Sequence, residues 1–338
     1  MSHVKVAIVG ASGETGKSIV CGLLESTTGF EVTALCRPSS IEKPGNLWLK
    51  GQGVKLIVVD TAGPQEELVK LLKGFDVVIA TLGASALSQQ IQLATASKLA
   101  GVGRFVPSAF STVSPPKGVM GIRDQKEDVF NYIKKLQLPY TIIDVGWWYA
   151  CVIPHVPSGR TDYARITSLI GDNIIPADGN VPIAVTDVHD IGRYVARIIT
   201  DPRTLNKMVF AYNEVVTFNQ VFESMEDRSS EHVDRNYISD GVLVNAIDET
   251  KERMQNDKTD QLAVYKSYWY QYFYSCGVRG DVANYVIIIH FATGDNTPYV
   301  AEYLGYLNAK DLYPDFKGLS LGKYLTDVLD GKAKQMYA

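Results

Sequence analysis

The chain has 338 residues, 46% of them hydrophobic, which is enough apolar material for a large core in one big domain or two interlocked ones. Its formal charge of −4, with no basic block, argues against nucleic acid as a partner, and no apolar run approaches the roughly 20 residues that cross a bilayer. Four scattered cysteines (Cys21, Cys36, Cys151, Cys276) without a C-x-x-C pair, and an N-terminus that enters a strand with no leader pattern, predict reduced thiols in a cytoplasmic protein; the five histidines lack metal-ligand spacing, so no metal is expected.

An apolar run over residues 4–9 reads as a buried strand. Gly10, Gly13 and Gly16 follow, and Ile19, Val20, Leu23 and Leu24 then mark a helix. Strand, glycine turn and helix are the layout of a dinucleotide-binding βαβ unit. Gly10 permits a tight exit from the strand, Gly13 has no side chain to block a pyrophosphate, and Gly16 lets the helix lie close on the sheet. Ser12, Glu14 and Thr15 complete a loop at the helix N-terminus, whose unpaired N–H groups and partial positive charge suit phosphates. The second strand, 31–36, ends at Arg37. An NAD site usually places an acid there for the ribose 2′-hydroxyl, but none occurs between residues 32 and 41. A guanidinium beside the Ser39 and Ser40 hydroxyls suits a 2′-phosphate, so NADP(H) is expected in preference to NAD(H).

A third strand over 55–60 ends in Asp60, and a helix is expected over 64–73. The fourth strand, 76–83, ends at Leu82 and Gly83. A helix over 87–100 stops at Gly101, the fifth strand begins at 104 and runs out at Ser108, and the sixth spans 140–145. This alternation predicts an α/β fold with a doubly wound parallel sheet, in which ligands sit outside the carboxyl ends of the strands. Between the fifth and sixth strands lie a Ser/Pro/Gly-rich loop at 111–118 and a helix over 124–136 whose apolar stripe is Val129, Phe130, Ile133 and Leu136. Extended backwards, that stripe passes through Lys126. The lysine is then either partnered and at work near the strand ends or snorkelling to water from the first turn.

Past the sixth strand the chain turns aromatic, with Trp147, Trp148, Tyr149 and then His155; this segment could form an apolar ligand pocket or a core hinge between lobes. A turn-rich stretch at 173–180 precedes an amphipathic helix over 185–199 that opens with a capping acid, and a strand is expected over 208–211. Residues 226–260 read as a solvated helical surface. The segment 265–274, dense in Tyr and Trp, could line a pocket or fill a core, and a helix over 321–329 closes the chain.

Val9-Gly-Ala-Ser-Gly-Glu-Thr-Gly16, Arg37-Pro38, Arg104-Phe-Val-Pro-Ser-Ala-Phe110, Leu138-Pro-Tyr-Thr141, Asp178-Gly-Asn180 with Thr186 to Gly192, Val278-Arg-Gly-Asp281 and Asp311-Leu-Tyr-Pro-Asp315 occur in this order. With them the chain resembles the NmrA-like, atypical short-chain dehydrogenase family, closest to its isoflavone reductase and phenylcoumaran benzylic ether reductase branch. The resemblance implies an NADPH-dependent reductase. Its Rossmann domain would occupy residues 1–155, completed by about 181–201, and 156–338 would form mainly a smaller C-terminal α/β substrate domain. The branch carries a lysine thirteen residues before the proline that precedes the sixth strand, which here sets Lys126 against Pro139 and implies a general acid/base, also close to the cofactor. The Tyr-x-x-x-Lys pair is absent, since Ile122 stands four residues before Lys126.

Phe110, Trp148, Tyr149, His155 and Tyr268 are the expected substrate-pocket residues, around an aromatic small molecule, in a monomer or homodimer. Where the family usually has Pro-Ser-Glu-Phe-Gly, this chain has Pro107-Ser-Ala-Phe-Ser111, and the segment at Trp147 is bulkier than usual. These departures favour a secondary-metabolism substrate other than the plant phenolics, with hydride delivered to C=C, C=O or C=N. An NADP(H)-sensing regulator, and a dehydratase or isomerase on the same fold, remain open alternatives.

Overall fold

The computed structural model describes residues 3–166, 169–257, 259–277 and 294–336. Its first half alternates strand and helix: β1 (Val4–Val9), α1 (Glu14–Leu24), β2 (Phe30–Cys36), α2 (Pro44–Gly51), β3 (Lys55–Val58), α3 (Gln65–Leu72), β4 (Val77–Ala80), α4 (Gln90–Ala100) and β5 (Arg104–Val106). All five strands are parallel, in the order β3-β2-β1-β4-β5. Val6, Ala7 and Ile8 of the central strand are wholly buried, as an unbroken apolar run must be when helices cover both faces.

The chain continues with α5 (Gly121–Lys135), β6 (Thr141–Asp144), β7 (Trp147–Trp148), α6 (Tyr149–Val152), β8 (Ile174–Pro176), β9 (Ile183–Thr186), α7 (Val188–Ile198), β10 (Lys207–Phe210) and β11 (Glu214–Val216). After these come α8 (Phe218–Ser229), β12 (Asn236–Ile238), α9 (Asp240–Asn256), α10 (Gln261–Gly277), α11 (Pro298–Tyr303), β13 (Tyr306–Asn308), α12 (Ala309–Leu312) and α13 (Leu321–Leu329). Strands β13, β10 and β6 form a second parallel ribbon. It joins the main sheet through a single parallel bridge, Phe105 to Tyr140, where Phe105 N–H donates to Pro139 O at 2.8 Å. The buried Arg104 guanidinium fastens this seam by donating to Thr141 Oγ1 (2.8 Å), Thr204 Oγ1 (2.7 Å) and the carbonyls of Ile198 and Asp201. A second apolar core, around Trp147, Phe218, Phe222, Phe273 and Leu325, lies beneath the three-stranded sheet β11-β9-β7.

Helix α7 returns from the second half of the chain to pack on α1 at glycine-to-glycine distance. A Cβ on Gly192 would stand 1.8 Å from Ser18 O, and one on Gly22 would stand 2.1 Å from the Gly192 carbonyl carbon. Backbone cannot yield there as a side chain can. Gly192→Ala is therefore expected to destabilise the protein by about 1–3 kcal/mol, read as a lowered urea midpoint. A wild-type midpoint would mean the two helices do not pack this closely.

Three local expectations differ. The stretch 87–100 opens with a 3-10 turn, Ala84–Gln89, before α4. Helix α5 starts at Gly121 rather than 124. The amphipathic run at 185–199 is split: Val185 and Thr186 belong to β9, paired with β7 and β11, and the helix begins only after Asp187, whose side chain accepts the His189 N–H. A short β-branched strand running straight into a helix leaves no gap in the apolar pattern, so periodicity merges the two. Residues 278–281 of the resemblance lie outside the described residues. Among the described residues no helix is long and apolar enough to cross a membrane, and no group of three or more His, Cys, Asp or Glu is placed to hold a metal.

Candidate active site

The carboxyl ends of β1 to β5 form a shelf that carries most of the residues singled out in the sequence. Gly10 has φ +82°, and a Cβ there would meet Thr81 O at 2.4 Å; a Cβ on Gly16 would meet Gly10 O at 2.3 Å. These two glycines are needed for the chain to turn and for α1 to seat. Gly13 differs: its added Cβ would find only Gly10 O, at 3.4 Å, so the loop is open outward. No side chain caps α1, which leaves its first-turn N–H groups for a ligand. Ser12 lies under Gly45, Glu14 is buried against Lys334, and Thr15 is half-buried. Arg37 is exposed, its carbonyl accepts from the Ser40 hydroxyl at 3.0 Å, and its guanidinium has no hydrogen-bond or ion-pair partner among the described residues, next to an exposed Ser39.

Asp60 is also exposed and caps its own turn, accepting the Ala62 N–H at 2.9 Å. The Ser108 hydroxyl donates to Leu82 O at 2.8 Å, which ties the ends of β5 and β4 together, and Gly83 has open space around it. An open glycine loop with free N–H groups and an unpaired guanidinium fit a dinucleotide that carries a pyrophosphate and a 2′-phosphate. Gly10, Ser12, Gly13, Thr15 and Gly16, with Glu14 through its backbone N–H alone, would hold the pyrophosphate end, and Arg37 and Ser39 would stand at the 2′-phosphate.

Lys126 sits in the first half of α5 and is 5% exposed. Its Nζ donates to Ala109 O at 2.6 Å and Ser111 Oγ at 2.9 Å. Between those two acceptors stands Phe110, a bulky residue held at φ +41°. Such a backbone is strained for a side chain of this size and marks a constraint. The constraint is visible: the kink at 110 wraps the strand-exit loop around the ammonium so that a carbonyl and a hydroxyl both reach it. Burial lowers the Lys126 pKa to about 8; the Asp144 carboxylate raises it and Arg123 lowers it further.

Beneath Lys126 runs a buried ionic cluster. Asp144, wholly buried at the end of β6, receives Arg123 Nη1 at 2.7 Å and the Tyr306 hydroxyl at 2.6 Å, and Arg123 also pairs with Glu127 at 2.7 Å. Desolvation works against the guanidinium, but the neighbouring carboxylates win and hold its pKa above the ordinary value. This cluster fixes α5, and Lys126 with it, against β6.

Ser111 opens onto a cavity of about 250 Å³ between the exits of β5 and β6 and helix α10. Phe110, Trp147 and Trp148 form one wall; Tyr265, Tyr268, Trp269 and Tyr272 form the other. The Tyr272 hydroxyl is hydrogen-bonded to Ser111, and burial raises its pKa, so it stays a neutral phenol. Cys151, also in the lining, has its thiol pushed up to about 12 by burial, which removes it as a nucleophile at neutral pH.

The structure brings Phe110, Trp148 and Tyr268 to one cavity but sends Tyr149 and His155 elsewhere. Tyr149 opens α6 and turns inward, donating its hydroxyl to Leu319 O at 2.9 Å and packing on Tyr324 at 5.3 Å between ring centres. His155 faces Asp162, with Nδ1 at 2.6 Å from the carboxylate, in a loop away from the strand ends. Tyr149 instead lines a separate cavity of about 760 Å³ beside α1 and α7, and His155 is placed by its contact with Asp162. Ser111 and Tyr272 were not singled out as site residues. The spacing 265, 268, 269, 272 is the i, i+3, i+4, i+7 repeat of one helix face, and it was the available signal for the α10 wall. Cys276 continues that repeat and, with the adjacent Phe273, fills the second core, so the helix face passes from cavity to core along its length.

A profile described as the NmrA-like family matches residues 2–274. Asnovolin J 5′,6′-dehydrogenase of Aspergillus novofumigatus (strain IBT 16806) is 44% identical over 337 residues, covering 99% of this chain and 98% of that protein. A phenylcoumaran benzylic ether reductase of Nicotiana tabacum is 29% identical, covering 95% and 97%. Among solved structures, the leucoanthocyanidin reductase–NADPH binary complex of Vitis vinifera superposes with a TM-score of 0.72 at 20% identity, covering 96% of this chain and 99% of that one. AtPrR2 with NADP+ and (+)pinoresinol gives 0.72 at 23% identity, covering 97% and 99%.

Proposed function

This chain belongs to the NmrA-like family, and as an oxidoreductase of that family, we propose, it moves a hydride between NADP(H) and a ring-bearing secondary metabolite, with Lys126 as the general acid/base. NADPH, when bound, supplies the hydride. The observation that carries the reading is a buried ammonium with a pKa of about 8, one hydrogen bond from a hydroxyl that lines an aromatic cavity.

The division of labour follows from the side chains. The glycine loop and Arg37 orient the cofactor along the strand ends. Phe110, Trp148 and the α10 aromatics exclude water and offer flat faces to a ring. Lys126 donates a proton to the reduced substrate, directly or through the Ser111 hydroxyl, and Ala109 O and Ser111 keep its ammonium in place. In the oxidative direction the neutral amine accepts that proton. Reduction should therefore fall as pH rises through about 8, where the ammonium is lost, and oxidation should rise over the same range. We place residues 1–155 together with α7, β10 and β13 in the nucleotide-binding part, and most of the remainder in the substrate part.

The relatives include a fungal dehydrogenase named for asnovolin J, which supports a secondary-metabolite substrate other than the plant phenolics. The decisive experiment incubates the protein with NADPH deuterated at C4 and a panel of cyclic enones, ketones and imines, and reads the products by mass spectrometry. Deuterium at one carbon of a product is the expected result. Product formation without label would replace the hydride-transfer reading with dehydration or isomerisation. For cofactor choice, Arg37→Ala is expected to weaken NADPH binding about tenfold or more while leaving NADH nearly unchanged, by calorimetry. Equal losses for both would remove Arg37 from the 2′-phosphate site.

A further inference from the structure

The segment beyond α13 comes back across the molecule to the nucleotide loop. Lys332 N–H donates to Asp327 O at 2.8 Å and Ala333 N–H to the Tyr163 hydroxyl at 3.1 Å, so the segment is seated before it reaches α1. Lys334 Nζ then lies 2.6 Å from Glu14 Oε2, and Lys17 Nζ lies 3.9 Å from Oε1. The Glu14 side chain is 4% exposed and that of Lys334 is 58% exposed, so the carboxylate is fixed and the lysine arrives from outside to meet it.

Glu14 is the first residue of α1, directly after Gly13. A carboxylate there is favourable for the empty helix, because it complements the partial positive charge of the N-terminus. It is unfavourable for an anionic ligand at the same N–H groups, because it consumes that positive potential and repels the ligand at short range. With an effective dielectric constant near 20, a unit charge about 12 Å from a unit anionic charge changes the ligand's affinity by about tenfold.

We propose that Lys334 is a positioning residue of the cofactor site: by neutralising Glu14 it makes the glycine loop acceptable to the pyrophosphate of NADP(H), so docking of the C-terminal segment and cofactor binding favour one another. This rests on the NADP(H) reading above. Linkage makes the effect reciprocal: the bound cofactor strengthens the hold of Lys334 by the same factor as Lys334 strengthens the hold of the cofactor.

The test is calorimetric titration of the full chain with NADPH and with adenosine 2′-monophosphate, which carries the 2′-phosphate but no pyrophosphate. Lys334→Ala is expected to weaken NADPH about tenfold and adenosine 2′-monophosphate less than about twofold. Glu14→Gln should bind NADPH at least as tightly as wild type, and the Glu14→Gln/Lys334→Ala double variant should regain wild-type affinity to within about twofold. In the wild type, NADPH should slow amide exchange over residues 332–336; in the double variant it should not. Three results would overturn the proposal: no effect of Lys334→Ala on NADPH, an equal loss for both ligands, or a loss that Glu14→Gln does not relieve. The last two would mean the segment acts through packing and not charge. If wild type itself binds adenosine 2′-monophosphate but not NADPH, the cofactor reading fails first and takes this proposal with it.

Discussion

Replacing Lys126 with methionine is expected to lower kcat by about 10²- to 10⁴-fold, with NADPH still bound, and to make the protein more stable at neutral pH. The first effect follows from the proposed role of Lys126, as the group that would give and take the proton through Ser111. The second follows from the pKa, lowered by burial from 10.5 to about 8. Where both folded and unfolded chains are protonated, below about pH 8, that difference opposes folding by about 3 kcal/mol. As pH rises from about 8 towards 10.5 the folded chain sheds its proton first, and the penalty disappears. Wild type should therefore gain stability over that interval, and the methionine variant should not. Methionine also leaves Ala109 O without its donor, so the net gain at pH 7 should be nearer 1–2 kcal/mol. Urea melts at pH 7 and pH 9.5, with kcat at pH 7, check all of this. A variant that turns over at the wild-type rate would remove Lys126 from the chemistry. One that loses stability at pH 7 would mean the ammonium is held by its acceptors more strongly than burial opposes it.

The second large effect concerns stability first. Asp144→Ala leaves the Arg123 guanidinium buried with Glu127, the Tyr306 hydroxyl and the Phe130 ring beside it. Breaking a buried pair from one side costs about 3–5 kcal/mol, because the remaining charge keeps its desolvation penalty. The change should lower the urea midpoint sharply and, by loosening α5 from β6, disturb the Lys126 site as well. Replacing all three charged members with apolar residues, Arg123→Met and Asp144→Leu together with Glu127→Met, should be much milder than the single change. If the single and triple variants fall equally, the cluster is held by the packing of its side chains and not by their charge.

The parallel sheet was legible because its strands are unbroken apolar runs divided by glycine and by amphipathic helices. The nucleotide loop was legible for a related reason: glycine does there what no other residue can. Lys126 was legible from its place on an apolar stripe. What escaped depends on tertiary partners. Ser111 carries no pattern of its own and gains meaning only because the kink at Phe110 delivers it to an ammonium fifteen residues further along the chain. Tyr149 looked like its neighbour Trp148, yet the start of α6 turns the two side chains apart, one to the cavity and the other to Leu319. The Lys334–Glu14 contact joins residues 320 apart, beyond the reach of any local rule.

The sheet has a consequence for how the protein is made. Strands β1 to β5 leave the ribosome early, but the ribbon that continues them waits for β10 at Lys207–Phe210 and β13 at Tyr306–Asn308, and α1 stays uncovered until α7 is synthesised. For most of translation the nascent chain therefore presents an open strand edge and a bare helix face, the surfaces on which aggregation begins. Such high contact order implies slow folding. Expression should accordingly depend on chaperone supply, and a fragment ending near residue 155 is a poor candidate for separate production.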